Sequence, residues 1–146
     1  MSRATKIAVT TLVFGIAAFI LNRVLWPDGA DAIAPTSAQL PIFIFLSALE
    51  AISFGLGISF LFFVWQYLKT IPAEKKKSET LSFIAVTWFL VSWWPHDNMH
   101  RVNGMDNLWG LIRIELIFHL TLILSGFILA QNAWKRLKTI AQDKSI

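Results

Sequence analysis

The sequence predicts an all-α integral membrane protein: a four-helix bundle with both ends on the cytoplasmic side and a short third span. Three observations predict it. The 146 residues are 55% hydrophobic and only 15% charged, against roughly 25% charged in an ordinary soluble domain. The apolar residues come in long runs, and a bilayer core about 30 Å thick needs a helix of about 20 such residues. The basic residues gather beside alternate ends of those runs, as the positive-inside rule describes.

The first span, residues 7–25, follows Arg3 and Lys6 and stops at the turn Trp26-Pro27-Asp28-Gly29. Basic residues before an apolar stretch also describe a secretory signal, and Ala32-Ile33-Ala34 has the small-x-small form of a cleavage site. A signal core has only about 7 to 15 residues, so this longer stretch is read as a retained span. The second span, 41–68, opens on Pro41, whose missing amide would have had no partner in a first turn. Pro72 ends it. The third, 79–96, is the weakest, because its apolar core covers only Leu81 to Trp94 and depends on Trp88, Trp93, Trp94 and the polar ends around Ser78 and His96 to lengthen it. Without this span the two main basic segments would lie on opposite sides. The fourth, 108–131, is apolar from Leu108 to Ala130 apart from a few polar positions. No repeat or linker divides the chain, and 1–146 is read as one domain. Trp26, Trp65, Tyr67, Trp93, Trp94, Trp109 and Trp134 fall near span ends, where amphipathic rings anchor at headgroup level.

Ten of the thirteen basic residues lie on one side: Arg3, Lys6, Lys69, Lys75, Lys76, Lys77, Lys135, Arg136, Lys138 and Lys144. Arg23 and Arg101 lie on the other, beside Asp28, Asp31, Asp97 and Asp106, and Arg113 lies within the fourth span. Both termini are therefore expected in the cytoplasm, in a plasma or inner membrane. The net charge of +4 is then a topology signal with an affinity for anionic lipid, and no nucleic-acid partner is expected. Cysteine is absent, which excludes disulfides, thiolate metal sites and thiol catalysis. Glycine-rich phosphate loops and a Ser-His-Asp order are missing too.

Ionisable residues inside spans carry the functional signal, since a charge at mid-bilayer costs about 2.5–3.5 kcal/mol on insertion scales. They are Glu50 in the second span and Arg113, Glu115 and His119 in the fourth. At 1.5 Å per residue, Glu50 lies about 13 Å past Pro41 and His119 about 16 Å past Leu108. Spans two and four run in the same direction, so Glu50 is expected to approach His119, or Glu115 one turn away. Glu50, Ser53 and Gly57 share a face, and the Gly55 and Ser59 pair reads as close helix packing.

The connection from Pro95 to Asn107 is densely polar. His96 and His100, at i and i+4, can hold one metal or a haem edge if the segment is helical. A metalloprotease helix has Glu directly after its first His; here that position is Asp97. The candidate site is Glu50, His96, Asp97, Asn98, His100, Arg101, Asp106, Arg113, Glu115 and His119, with His96 and His100 as metal ligands. These residues grade from the outer loop towards the centre and suggest a vestibule open to the outside. The same groups could instead form a structural network, with Arg113 on Glu115 or Asp106 and Glu50 on His119.

The expected function is binding of a metal, a haem or a small amphipathic ligand in an outward-open polar pocket, with action on that ligand left open. An accessory subunit of a larger membrane complex, or a homo-oligomer, is the alternative. A proton or ion pathway ranks last, because the inner halves of the spans hold no charged residue before Lys69 and Lys135.

Overall fold

The computed structural model describes residues 1–29, 34–103 and 107–143. Among the described residues, five helices form: α1 (Arg3–Leu25), α2 (Leu40–Leu68), α3 (Ala73–Val91), α4 (Trp93–Asn103) and α5 (Leu108–Asp143). Asp106 and most of the Ala32-Ile33-Ala34 pattern lie outside the described residues.

The local chemistry explains the boundaries. Ser2 caps α1 by accepting a hydrogen bond from the Thr5 amide at 3.1 Å, and Pro41 sits in the first turn of α2 as expected. Thr70 and Pro72 occupy the turn before α3, with the Thr70 hydroxyl donating to the Tyr67 carbonyl at 2.7 Å. The third span was expected as one helix over 79–96. It starts earlier, at Ala73, and is broken at Ser92. Pro95 has no amide to donate to the Val91 carbonyl four residues back, so α3 ends there, while the first turn of α4 tolerates the same proline.

Among the described residues, three helices are long and apolar enough to cross a membrane: α1, α2 and α5. By that measure α3 is not, since Glu74, Lys75, Lys76, Lys77 and Glu79 occupy its first two turns.

Neighbours follow chain order. α1 packs on α2, α2 on α3 and α3 on α5, while the short α4 touches α2, α3 and α5. Each successive pair of long helices is antiparallel. Trp65 meets Phe83 and Phe54 meets Trp94 across α2, α3 and α4, with ring centroids 5.8 and 4.8 Å apart. Across α3 and α5, the Trp88 indole donates to the Thr121 hydroxyl at 2.9 Å, and Arg136 pairs with Glu79 at 2.9 Å.

The α1–α2 contact is built from small residues: Thr11, Gly15 and Ala18 on one helix, Ala51, Gly55 and Ser59 on the other, all buried. The Ser59 hydroxyl donates to the Leu56 carbonyl at 2.7 Å and stands 3.2 Å from the Thr11 hydroxyl. Small side chains let the backbones approach where an apolar solvent supplies no hydrophobic drive between helices. Large apolar side chains such as Ile20, Val24, Phe62 and Ile123 instead face outward, as they do in lipid.

Among the described residues, α2 and α5 do not pack as neighbours, because α3 and α4 stand between them. The expected approach of Glu50 to His119 or Glu115 is not formed.

Candidate metal centre between α4 and α5

The eleven residues of α4 present two different faces. Trp94 and Asn98, one turn apart, are buried on one of them. The Asn98 amide donates to the Trp94 carbonyl at 2.6 Å, and Asn98 accepts from Arg101 at 2.6 Å. Arg101 also donates to the Trp26 carbonyl at 2.9 Å and pairs with Asp28, which Arg23 shares. This clamp ties α4 to the end of α1. Partial burial acts to raise the Asp28 carboxyl, but hydrogen bonds from Arg101 and Arg23, together with their charges, outweigh it and hold the group below its ordinary value.

The other face carries His96 and His100. Their i, i+4 spacing brings the two Nε2 atoms to 3.1 Å, and His100 Nε2 lies 3.4 Å from Glu115 Oε1 on α5. One ligand atom from each of the three residues falls within 4.8 Å of the others. Metal–nitrogen and metal–oxygen bonds of about 2.0–2.1 Å at a tetrahedral angle place neighbouring ligand atoms about 3.3 Å apart. Two of the observed separations match that edge.

Glu115 is oriented from behind: its other oxygen contacts His119 Nδ1, one helical turn further on. That partner leaves Oε1 directed at His100. The floor is aromatic and aliphatic. Phe118 stacks on Trp88 with centroids 5.8 Å apart and an interplanar angle of 13°, and its ring lies 5.1 Å from that of His96. Ile114, Phe118 and Leu122 form a buried cluster against which Trp88 and Met99 pack. The ligand side chains are partly open above this floor: His100 is 28% exposed and Glu115 46%.

Chemically, two imidazoles and one carboxylate are a nitrogen-rich borderline donor set suited to zinc or iron(II). Binding through both Nε2 atoms needs the tautomer with the proton on Nδ1 in each ring; without a cation, one Nε2 must carry a proton and donate to the other. Three protein ligands leave a fourth tetrahedral position open for water or a small ligand.

Of the sequence-predicted residues, His96, His100, Glu115 and His119 come together, while Asn98 and Arg101 belong to the clamp on the opposite face. Asp97 is exposed on the flank of α4, near enough for its charge to act on the half-buried Glu50 of α2. Arg113 is exposed on α5, with no ion-pair partner among the described residues. The aromatic floor and the role of Asp28 were missed from sequence. The usable signal was that Asp28 and Arg101 are opposite charges on the same side. No family model, curated protein or solved structure matches this chain.

Proposed function

We propose that this polytopic helical membrane protein binds a divalent transition-metal ion through His96, His100 and Glu115. The observation that carries the reading is the convergence of three ligand atoms within 4.8 Å at separations fitting a tetrahedral edge. His119 is the outer partner that fixes the Glu115 carboxylate, as ligating carboxylates are commonly held. The open fourth position is where a small ligand would meet the metal. A haem has less support than a single ion, because the donor set includes a carboxylate beside both histidines.

The same reading includes four crossings. α3 is packed antiparallel between α2 and α5, and a helix wedged between two spans shares their layer. Its charged first turns then lie at the boundary with Lys69 and Arg136. The concentration of Lys and Arg at that end puts both termini in the cytoplasm and the metal centre near the outer face. Metal analysis of the purified chain tests this reading: about one ion per chain is expected after loading with zinc or iron(II) and dialysis, with loss in His100→Ala. A wild-type chain that retains no ion overturns it.

A second reading, an accessory subunit, is favoured by one observation. Glu50 and Arg113 lie on spans without a hydrogen bond or ion pair among the described residues, and such groups call for a partner in lipid. Co-purification of a second membrane protein, lost in Glu50→Leu, supports that reading.

A further inference from the structure

At the end of the molecule opposite the histidines, a cavity of about 390 Å³ opens between the start of α1 and the end of α2, lined by Arg3, Lys6, Phe63, Gln66, Tyr67 and Thr70. Among the described residues, two cations line it and no carboxylate does. The Arg3 guanidinium donates one N–H to the Phe63 carbonyl at 2.7 Å and lies 5.8 Å from the centre of the Tyr67 ring. That bond fixes its direction and leaves further N–H groups of the guanidinium unused. The Lys6 ammonium has no ion-pair partner among the described residues.

The adjoining cavity, of about 930 Å³, shares Tyr67 and Thr70 but differs electrostatically. There Glu79 stands against Lys75 and Arg136, and Arg136 contacts both Glu79 oxygens, at 2.9 and 3.1 Å. One of its two cations is answered. The smaller cavity keeps two positive charges unanswered at the level where two membrane-crossing helices end, which is the headgroup layer. Towards mid-bilayer the same helices expose Phe14 and Phe62, whose rings lie 6.2 Å apart. A free anion would have no use for that apolar flank, whereas an acyl chain would lie along it.

We infer that the cavity between α1 and α2 binds the phosphate of an anionic phospholipid through Arg3 and Lys6, with the acyl chain against Phe14 and Phe62. Two basic side chains near an anionic headgroup contribute about a factor of 30 in affinity together. The site is independent of the metal centre.

The test is lipid binding by native mass spectrometry of the full chain, titrated with phosphatidylglycerol or phosphatidylcholine. Wild type should prefer phosphatidylglycerol, and the double variant Arg3→Ala/Lys6→Ala should bind it about 30-fold more weakly. Lys76→Ala/Lys77→Ala, which removes the same charge away from the cavity, should bind as wild type does. Lys6→Ala alone removes no ion pair or side-chain hydrogen bond among the described residues and should weaken binding about 5-fold, so it remains informative if the double variant fails to fold. Equal loss in the Lys76/Lys77 pair, no loss in Lys6→Ala, or displacement of the lipid by millimolar inorganic phosphate each overturns the proposal.

Discussion

Replacing Gly55 tests the close backbone approach between α1 and α2. A Cβ at this position would meet the Thr11 carbonyl oxygen and stand 2.7 Å from the Gly15 amide nitrogen. Both obstacles are backbone, so no side chain can swing away; α1 itself must move. Restoring an ordinary contact of about 3.4 Å to that nitrogen needs a displacement of about 0.7 Å, and clearing the nearer Thr11 oxygen needs more, enough to separate the Thr11 and Ser59 hydroxyls, now 3.2 Å apart. Overpacking costs about 1–3 kcal/mol, and an interhelical hydrogen bond in a membrane is worth about 0.6 kcal/mol on average. Gly55→Ala should therefore cost about 2–3 kcal/mol, or roughly 5–10 °C in Tm, and Gly55→Leu should detach α1. The absence of cysteine permits a clean assay. A Thr11→Cys/Ser59→Cys pair should cross-link readily in the otherwise wild-type chain and lose that cross-link when Gly55→Leu is added. Gly126→Ala is the control, because a Cβ there meets nothing within 4 Å, and improved helix propensity should leave stability unchanged or slightly raised. If Gly55→Leu keeps both the cross-link and the wild-type Tm, the packing argument for α1 and α2 fails.

Three other expectations follow from particular contacts. Asp28 has a depressed pKa in the folded chain, so its stabilising contribution is complete above its unfolded value near 4 and is lost as pH falls through the lower folded value. Asp28→Asn should remove that acid dependence, with an effect below about 1 kcal/mol because the pair is partly exposed; thermal melts between pH 2.5 and 6 measure it, and identical profiles for variant and wild type would count against the clamp. His119→Ala should weaken metal binding by about 10–100-fold without abolishing it, as read by zinc competition with a chromophoric chelator, whereas an unchanged affinity would deny His119 its orienting role. A reporter fused after Ile146 should be active in the cytoplasm, and activity confined to the outside would reverse the assigned topology.

Much of the architecture was legible because bilayer physics leaves few choices. Runs of apolar residues could only be helices, and Gly55 with Ser59 could be read as a packing pair before its partners on α1 were known. What the apolar pattern could not convey was adjacency. Counting residues from the span ends puts Glu50 and His119 at similar depths, but such a count says nothing about which helix stands between them, and α3 and α4 stand there. Pro95 was read as lying in the last turn of the third span, at the start of a polar connection that could be helical; its missing amide breaks the path at Ser92, and α4 continues helically to Asn103.

The candidate site was legible in the same uneven way. His96 and His100 advertise themselves through i, i+4 spacing. Glu115 joins them only because α5 runs back antiparallel past α4, a tertiary fact with no local signature. Arg101 belongs by sequence to the same polar stretch as the histidines. On a helix, however, position 101 lies about 140° from position 96, which carries it to the opposite clamp.

Metal binding by the full-length chain is the most direct test of the central claim. Wild-type protein loaded with zinc or iron(II), then dialysed, should retain about one ion per chain, while His96→Ala, His100→Ala and Glu115→Gln should each lose affinity by more than the roughly 10–100-fold typical of an outer partner. A wild-type chain without bound metal, or three variants that bind as tightly as wild type, would contradict a metal centre at His96, His100 and Glu115.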